Sequence, residues 1–542
     1  MSSNNHVSIE ENSTRSRSSP TVLPIALLLL IIFAVTTIVF AVLWGMKVSS
    51  SSSNTYPVEN GTIGFPPLLP NDGKYLQWTI LHLNDVYEML PLDQRRKGGL
   101  ARVAHVRQLL KEENPQTYTV LAGDFLSPSA LSQAIVNGSA LNGKQMIAAF
   151  NTLGLDFVTF GNHEFDLIQS ELIARMNQST FQWISSNVFE SGTNESFSIS
   201  IPYYVLTIEQ VRILFIGLTI DENQPYVRIV NKTSLIPFVK EFLQSISNVQ
   251  YDVLIALTHL DIATDVLLVE NIPKIDMIMG GHEHENYYYL RGSEMTPIYK
   301  SDGNALTVYI HRCAFNLDTK RLRVYSTLTK ITPEIQNEEK TNEVVNYWFD
   351  VGMKGFEEMG YQPNETVCSL PGNVELDGRS SSVRNGETLL SEYSCQSLLK
   401  SSEDDLSLIG IYNSGSIRID DILRGNLSEY DILRILPFGN NLLLINVSGE
   451  IVVNVLRHGL SLKGDGMFLS YCGINTLDQG KTWFINGTEI LPSIDSKYRV
   501  ITTDYAKENT DFNDPTVTIL KEYNQTHTKS LIYYLKTIFP SF

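Results

Sequence analysis

Short apolar runs separated by polar stretches dominate the chain from Gln77 onward. WTILHL, YTVLA, FVTF, VRILFIGLT, DVLIALT and DMIMGG each have the length and β-branched content of buried strands. Between the first two lies ARVAHVRQLLKEEN, whose apolar positions recur at helical spacing. Strands alternating with helices predict an α/β fold with a largely parallel sheet. Thr307 to Lys330 reads as strands that close this unit. Residues 331–360 are charged and helical in pattern, as suits a linker helix. A second α/β unit, 361–542, has its own runs LSLIGIY, NLLLINV and KYRVITTDY, and ends in SLIYYLKTIFPSF, an amphipathic closing helix. No internal repeat is found.

The N-terminal pattern is different. Residues 1–20 are polar and serine-rich, as expected of a cytoplasmic tail. Val22–Met46, within segment 21–46, carries no charge and is long enough to span a bilayer as a helix. A Ser/Pro/Gly-rich stalk, 47–76, follows it. Arg15 and Arg17 precede the apolar run and Lys47 follows it, so the positive-inside rule puts the N-terminus in the cytoplasm and the body outside. A long cleaved signal peptide is the alternative, and it exports the body equally. Asn-x-Ser/Thr acceptors at Asn60, Asn137, Asn177, Asn194, Asn231, Asn364, Asn426, Asn446, Asn486 and Asn524 agree with an extracellular or lumenal glycoprotein. The four cysteines permit disulfides there, with three pairings open, and their irregular spacing does not resemble a zinc site.

Charge narrows the partners. A net charge of -18 provides no basic footprint for nucleic acid and no surface suited to anionic lipid. A pocket built of metals and a few arginines can still collect anions. Hydrophobic residues at 43% are enough for large cores.

The candidate chemistry lies just past the predicted strands. WTILHL leads into Asn84-Asp85, VLAG into Asp124, FVTFG into Asn162-His163, LIALT into His259, and MIMGG into His282-Glu283-His284. Strand carboxyl ends line the ligand crevice of open α/β sheets. Each residue alone has a commoner reading: Asp as a cap or turn former, His as a surface or core residue, Glu283 and Glu285 as solvated loop charges. Their shared position favours one site. Carboxylate, amide and imidazole ligands without thiolates suit two divalent ions, zinc first, with manganese, iron or cobalt as alternatives. Glycine before Asn162 and at Gly280-Gly281 lets backbone approach closely.

The series LHLND, AGDF, GNHEFD, THLD and GGHEH resembles the calcineurin-like metallophosphoesterases, and more closely the two-domain 5′-nucleotidases, over nearly all of 77–542. The resemblance implies a four-layer metallophosphoesterase β-sandwich flanked by helices, 77–330, followed by a separate α/β substrate-binding domain. It implies that Asp124 bridges two metals, that Asp85 and His284 bind the first, and that Asn162, His259 and His282 bind the second. His163 would stabilise transition-state charge, oriented and charged by Asp166. The family's first motif is Asp-x-His; here it is Asp85-Val86-Tyr87, so Tyr87 either ligates as a phenolate or leaves the first metal more loosely held. In the second unit NSGSIR resembles the substrate motif. Asn413 and Arg418 would hold substrate, Gly415 would permit the turn, and Arg384 would face phosphate or carboxylate. Phe438 and Tyr505 would clamp a base, and Asp511 would contact a ribose hydroxyl. The family's glycine pair before that last Asp is Asn509-Thr510 here, and its Gly-Asn after the Arg384 motif is Ser391-Glu392.

The expected activity is metal-dependent hydrolysis of phosphate monoesters, nucleoside 5′-monophosphates first. A nucleotide-sugar or cyclic-nucleotide diesterase is the alternative within the class, and a catalytically weak surface nucleotide-binding protein is the alternative outside it. A homodimer is left open.

Overall fold

A computed structural model describes residues 63–70, 72–221, 224–402 and 409–540. The tail, the apolar run Val22–Met46, Asn60 and most of the stalk lie outside the described residues, as does the start of LSLIGIY. Among the described residues no helix is long and apolar enough to cross a membrane.

Every apolar run of the first half forms a strand. They build two six-stranded sheets. One runs, edge to edge, Arg321–Lys330, Thr307–Asn316, Tyr75–Leu83, Thr117–Ala122, Phe157–Thr159 and Gln182–Trp183. The other runs Tyr287–Arg291, Thr296–Lys300, Met277–Gly280, Val253–His259, Val211–Thr219 and Tyr203–Ile208. Neighbouring strands at the centre of each sheet are parallel. Side-chain alternation explains the layering. Leu76, Trp78 and Ile80 of the first strand meet Val253, Ile255 and Leu257 in a core between the sheets. The intervening Leu81 and Leu83 face the helices Leu100–Glu113 and Lys144–Leu153, while Leu254 and Ala256 face the helices Lys232–Ser245 and Ile262–Asn271. The order is helix, sheet, sheet, helix.

The helix Glu339–Glu358 is amphipathic. It buries Val345, Met353 and Phe356, packing on the helices Leu100–Glu113 and Lys144–Leu153 and, through Phe356, on Tyr430 of the second half, instead of standing free as a spacer. The second half is a five-stranded sheet ordered Leu469–Cys472, Ile409–Asn413, Lys497–Thr503, Asn441–Ser448 and Thr518–Thr526. Helices Leu389–Ser401 and His527–Ile538 cover one face and Gly449–Ser461 covers the other. Cys395 and Cys472 form a disulfide across helix and sheet; Cys313 and Cys368 are buried thiols.

Candidate active site

Strand register brings the polar residues together. Leu83 pairs with Leu121, so Asp85 and Asp124 leave adjacent parallel strands at the same level. Thr258 pairs with Gly280, which does the same for His259 and His282. Asp85, Asp124 and His282 all have positive φ, at 52°, 57° and 87°. Non-glycine residues held there mark a site that the surrounding structure over-determines. Two glycines make the crowding feasible. A Cβ on Gly161 would lie 2.0 Å from Asp124 Oδ1, and one on Gly281 would lie 2.4 Å from the Ala122 carbonyl.

Within this cluster the donor atoms converge. His259 Nε2 lies 3.2 Å from Asp124 Oδ2 and 3.9 Å from Asp85 Oδ1, and His284 Nε2 lies 3.6 Å from Asp85 Oδ1. The His259 ring centroid is 5.3 Å from that of His282. Second partners orient these groups. His259 Nδ1 donates to the Ala122 carbonyl at 2.7 Å, and the His282 amide donates to Asp85 Oδ2 at 2.9 Å. Burial alone would lower His259, but the Asp124 and Asp85 carboxylates push it up to about 10. Burial would raise Asp124, yet His259 and His163 hold it well below the usual carboxylate range. The pair of buried carboxylates therefore calls for positive charge.

Asp85 Oδ1, His259 Nε2 and Asn162 Oδ1 are buried and have no hydrogen-bond partner. Such atoms are costly to leave unsatisfied; the two oxygens carry lone pairs, and His259 Nε2 offers one once its proton is displaced. Asp85, Asp124 and His259 offer ligand atoms within 4.8 Å of one another. The donor set thus fits divalent cations.

Tyr87 lies at the cluster. Its hydroxyl donates to Asp124 Oδ2 at 2.8 Å and lies 3.3 Å from His284 Nε2. Burial first, then the Asp124 and Asp85 charges, raises this phenol well above its ordinary value. His163 stands beside the cluster. Its amide donates to Asp124 Oδ1 at 2.9 Å, and Nδ1 donates to Asp166 Oδ2 at 2.9 Å. Nε2 lies 3.0 Å from Arg418 Nη2.

A cavity of about 410 Å³ opens from this edge toward the second half. Asn162, His163, Asp166 and His282 line one side; Arg384, Asn413, Gly415, Arg418, Phe438 and Tyr505 line the other. Arg384 Nε and Arg418 Nε and Nη1 are buried without acceptors. The Arg418 guanidinium sits 5.4 Å from the Phe438 ring centre. Asn413 accepts from the Ser416 hydroxyl and donates to the Gly466 carbonyl. Gly415 is needed for close approach and not for its φ, since a Cβ would lie 2.7 Å from the Gly466 carbonyl.

Two expectations are corrected. Asp511 is exposed and does not line this cavity; it lies 3.5 Å from His458 Nδ1, in a separate cleft. Asn509 and Thr510 extend the preceding helical turn through bonds to Tyr505 and Ala506, which a glycine pair could not make. Glu283 is not a solvated loop charge. It pairs with the fully buried Lys300, which also contacts Asp265 at 3.0 Å. Glu285 is exposed as expected.

Three residues had been given no role from the sequence. Glu164 accepts from the amides of Gly161, Asp124, Phe125 and Leu126, binding two ligand loops to one carboxylate; burial and the Asp124 charge push it up to about 7. Asn84 donates to Asp85 Oδ2 and brackets Ser301. Asp420, from the second half, accepts from His284 Nδ1 at 2.7 Å. Glu164 lay within a quoted motif, and only its burial separates it from a surface acid.

Residues 79–286 match the family described as calcineurin-like phosphoesterase, and residues 370–514 match the 5′-nucleotidase C-terminal domain. The chain belongs to the two-domain 5′-nucleotidase family. Among the relatives of this family member is the trifunctional nucleotide phosphoesterase protein YfkN of Bacillus subtilis. It is 24% identical over 80% of this chain, although the match spans only 32% of that longer protein. The 5′-nucleotidase of Vibrio cholerae is 23% identical over 79% of this chain and 84% of its own. In fold, the 5′-nucleotidase precursor from Thermus thermophilus superposes with a TM-score of 0.72 at 19% identity, over 85% of this chain and 97% of that one. As a member of this family the protein is a metal-dependent phosphohydrolase.

Proposed function

We propose that the protein hydrolyses nucleoside 5′-monophosphates at a two-metal centre. The carrying observation is the cavity itself. Asn162, whose buried oxygen has no partner, and His282 line one side, and unpartnered guanidinium donors of Arg384 and Arg418 line the other beside the Phe438 ring. Cation ligands, phosphate donors and an aromatic wall on one cavity are the parts a nucleotide requires. The names of the relatives, nucleotide phosphoesterase and 5′-nucleotidase, support the same substrate class.

In this reading Asp85 and His284 hold the first ion, Asn162, His259 and His282 the second, and Asp124 both. Zinc is the first choice, with manganese, iron or cobalt as alternatives. The ions, when bound, supply Lewis-acid polarisation of the phosphate and an acidified water nucleophile. His163, held by Asp166, meets charge developing on the phosphoryl group. Arg384 and Arg418 grip the phosphate, and Phe438 and Tyr505 flank the base. Asn413 and Gly415 shape that wall. The boundaries proposed are 77–330 for the metallophosphoesterase domain, 331–360 for the linker helix and 361–542 for the substrate domain.

The test is phosphate release by the purified full chain from AMP, a nucleotide sugar and a cyclic nucleotide, with metal content measured in parallel. Release from AMP with about two ions bound supports the proposal. Hydrolysis confined to the diesters, or metal-free binding without turnover, selects one of the alternatives.

We further propose that Val22–Met46 is an uncleaved anchor with a cytoplasmic N-terminus and an outside body. Eight of the nine described acceptor asparagines are exposed, all but the half-buried Asn446, so the folded surface can carry glycans. Glycosidase treatment should increase mobility on a gel, and protease added to intact cells should release a large soluble body. An unglycosylated, protease-protected body would refute this topology.

A further inference from the structure

Two imidazoles of the metal cluster are oriented in the same way by partners of different origin. His259 Nδ1 is held by the Ala122 carbonyl, a backbone group of its own domain, which leaves Nε2 facing Asp124 and Asp85. His284 Nδ1 is held at 2.7 Å by Asp420 Oδ2, which leaves Nε2 facing Asp85 and Tyr87. Asp420 lies on the far side of the linker helix, in the segment that follows the strand Ile409–Asn413. Its placement is specific. The other oxygen, Oδ1, accepts from the Ser380 amide at 2.8 Å, and its backbone has a positive φ of 48°. A carboxylate held at both oxygens on a left-handed backbone is a fixed part and not a passing surface contact. Two residues earlier on the same segment, Arg418 meets His163 Nε2 at 3.0 Å. One arm of the substrate domain, residues 413–420, thus touches both the imidazole beside the phosphate position and an imidazole of the metal cluster.

We propose that Asp420 is a positioning residue for the metal ligand His284, so that the substrate domain completes the first metal site. The inference rests on the assignment of His284 as a ligand made above. A carboxylate on the remote N–H fixes the tautomer, aims the other nitrogen and raises its basicity. Loss of such a partner typically weakens metal affinity roughly 10- to 100-fold. His259 needs no such help from outside its domain, so the two ions depend differently on the second half. By linkage, filling the first site also holds the 413–420 arm against the metal cluster.

The experiment is equilibrium dialysis of the metal-free full chain against buffered zinc, with bound metal per chain read by elemental analysis. Wild type is compared with Asp420→Ala, Asp420→Asn and His284→Ala. The expected result is two ions in wild type, and in Asp420→Ala one ion weakened about 10- to 100-fold with the other unchanged. Asp420→Asn should weaken the same ion less, because its amide oxygen still accepts from Nδ1 while the charge is gone. The unchanged second ion is the internal control for folding. Equal weakening of both ions would mean a general structural loss and would overturn the proposal. Wild-type affinities in Asp420→Ala, with one ion lost in His284→Ala, would overturn the role of Asp420 and leave the metal assignment standing. Both ions retained at full affinity in His284→Ala would remove the assignment of His284, and the inference with it.

Discussion

The His163 amide donates to Asp124, while its ring spans Asp166 and Arg418. In the proposed mechanism this side chain acts on charge that develops during reaction and not on the ions themselves. His163→Ala is therefore expected to retain both metals and to lower kcat by roughly 10²- to 10³-fold, the scale for removing one preorganised transition-state donor. Metal analysis alongside steady-state kinetics checks this, and loss of metal would make His163 a ligand instead. Tyr87 is the residue where family pattern and chemistry part. Its hydroxyl donates to Asp124, and in the proposed reading the first ion has one imidazole fewer than the family pattern provides. Tyr87→His should lower the metal concentration for half-maximal activity and leave the second ion unaffected, because imidazole is the better divalent ligand at neutral pH. An unchanged midpoint would place this position outside the coordination sphere.

Among the elements, the turn Asn162–Asp166 carries the most consequence for its length. Glu164 gathers four amide donors from two loops, so an oxygen-only acceptor is required there. In Glu164→Gln one oxygen becomes an NH₂ group that faces donors. Leaving buried donors unsatisfied costs about 1–3 kcal/mol. Thermal unfolding of the variant should show a lowered midpoint, and metal retention should fall with it, since the Asp124 amide is one of the four. A midpoint equal to wild type would show that the turn is held by other bonds. The strands themselves were legible because their period of two sends alternate residues to two cores, as Trp78 and Ile80 against Leu81 and Leu83 illustrate. The helix Glu339–Glu358 was legible as a helix but not as packed, because its partners are remote in the chain.

For the molecule as a whole, the Cys395–Cys472 bond ties together residues separated by 77 positions. Replacing both by serine should cost about 4 kcal/mol on the chain-entropy argument, read as a shift in denaturant midpoint. Unfolded, unreduced protein should present the Cys313 and Cys368 thiols alone, and reduction should reveal the other pair. Four reactive thiols before reduction would contradict the bond and weaken the case for an extracytoplasmic body, since such bonds persist in oxidising compartments. The cavity between the halves is also a property of this scale, because Arg384 and Arg418 on one side and Asn162 and His282 on the other come from different halves of the chain.

What the sequence alone determined was local and repetitive. Strand and helix periodicity set the fold class, the carboxyl ends of the strands located the chemistry, and compact motifs such as GNHEFD and GGHEH carried the family. Those signals survive in one dimension because each depends on neighbours a few residues away. Tertiary structure decided what depends on distant partners. It turned Tyr87 into a donor to Asp124, paired Glu283 with the buried Lys300, moved Asp511 out of the cavity, and joined Cys395 to Cys472 while leaving Cys313 and Cys368 as thiols. It also brought Asp420 to His284 across 136 positions of chain. Nothing local marks such an acid as different from any surface carboxylate. Only its burial and its partner do, and both are set by how the two domains pack.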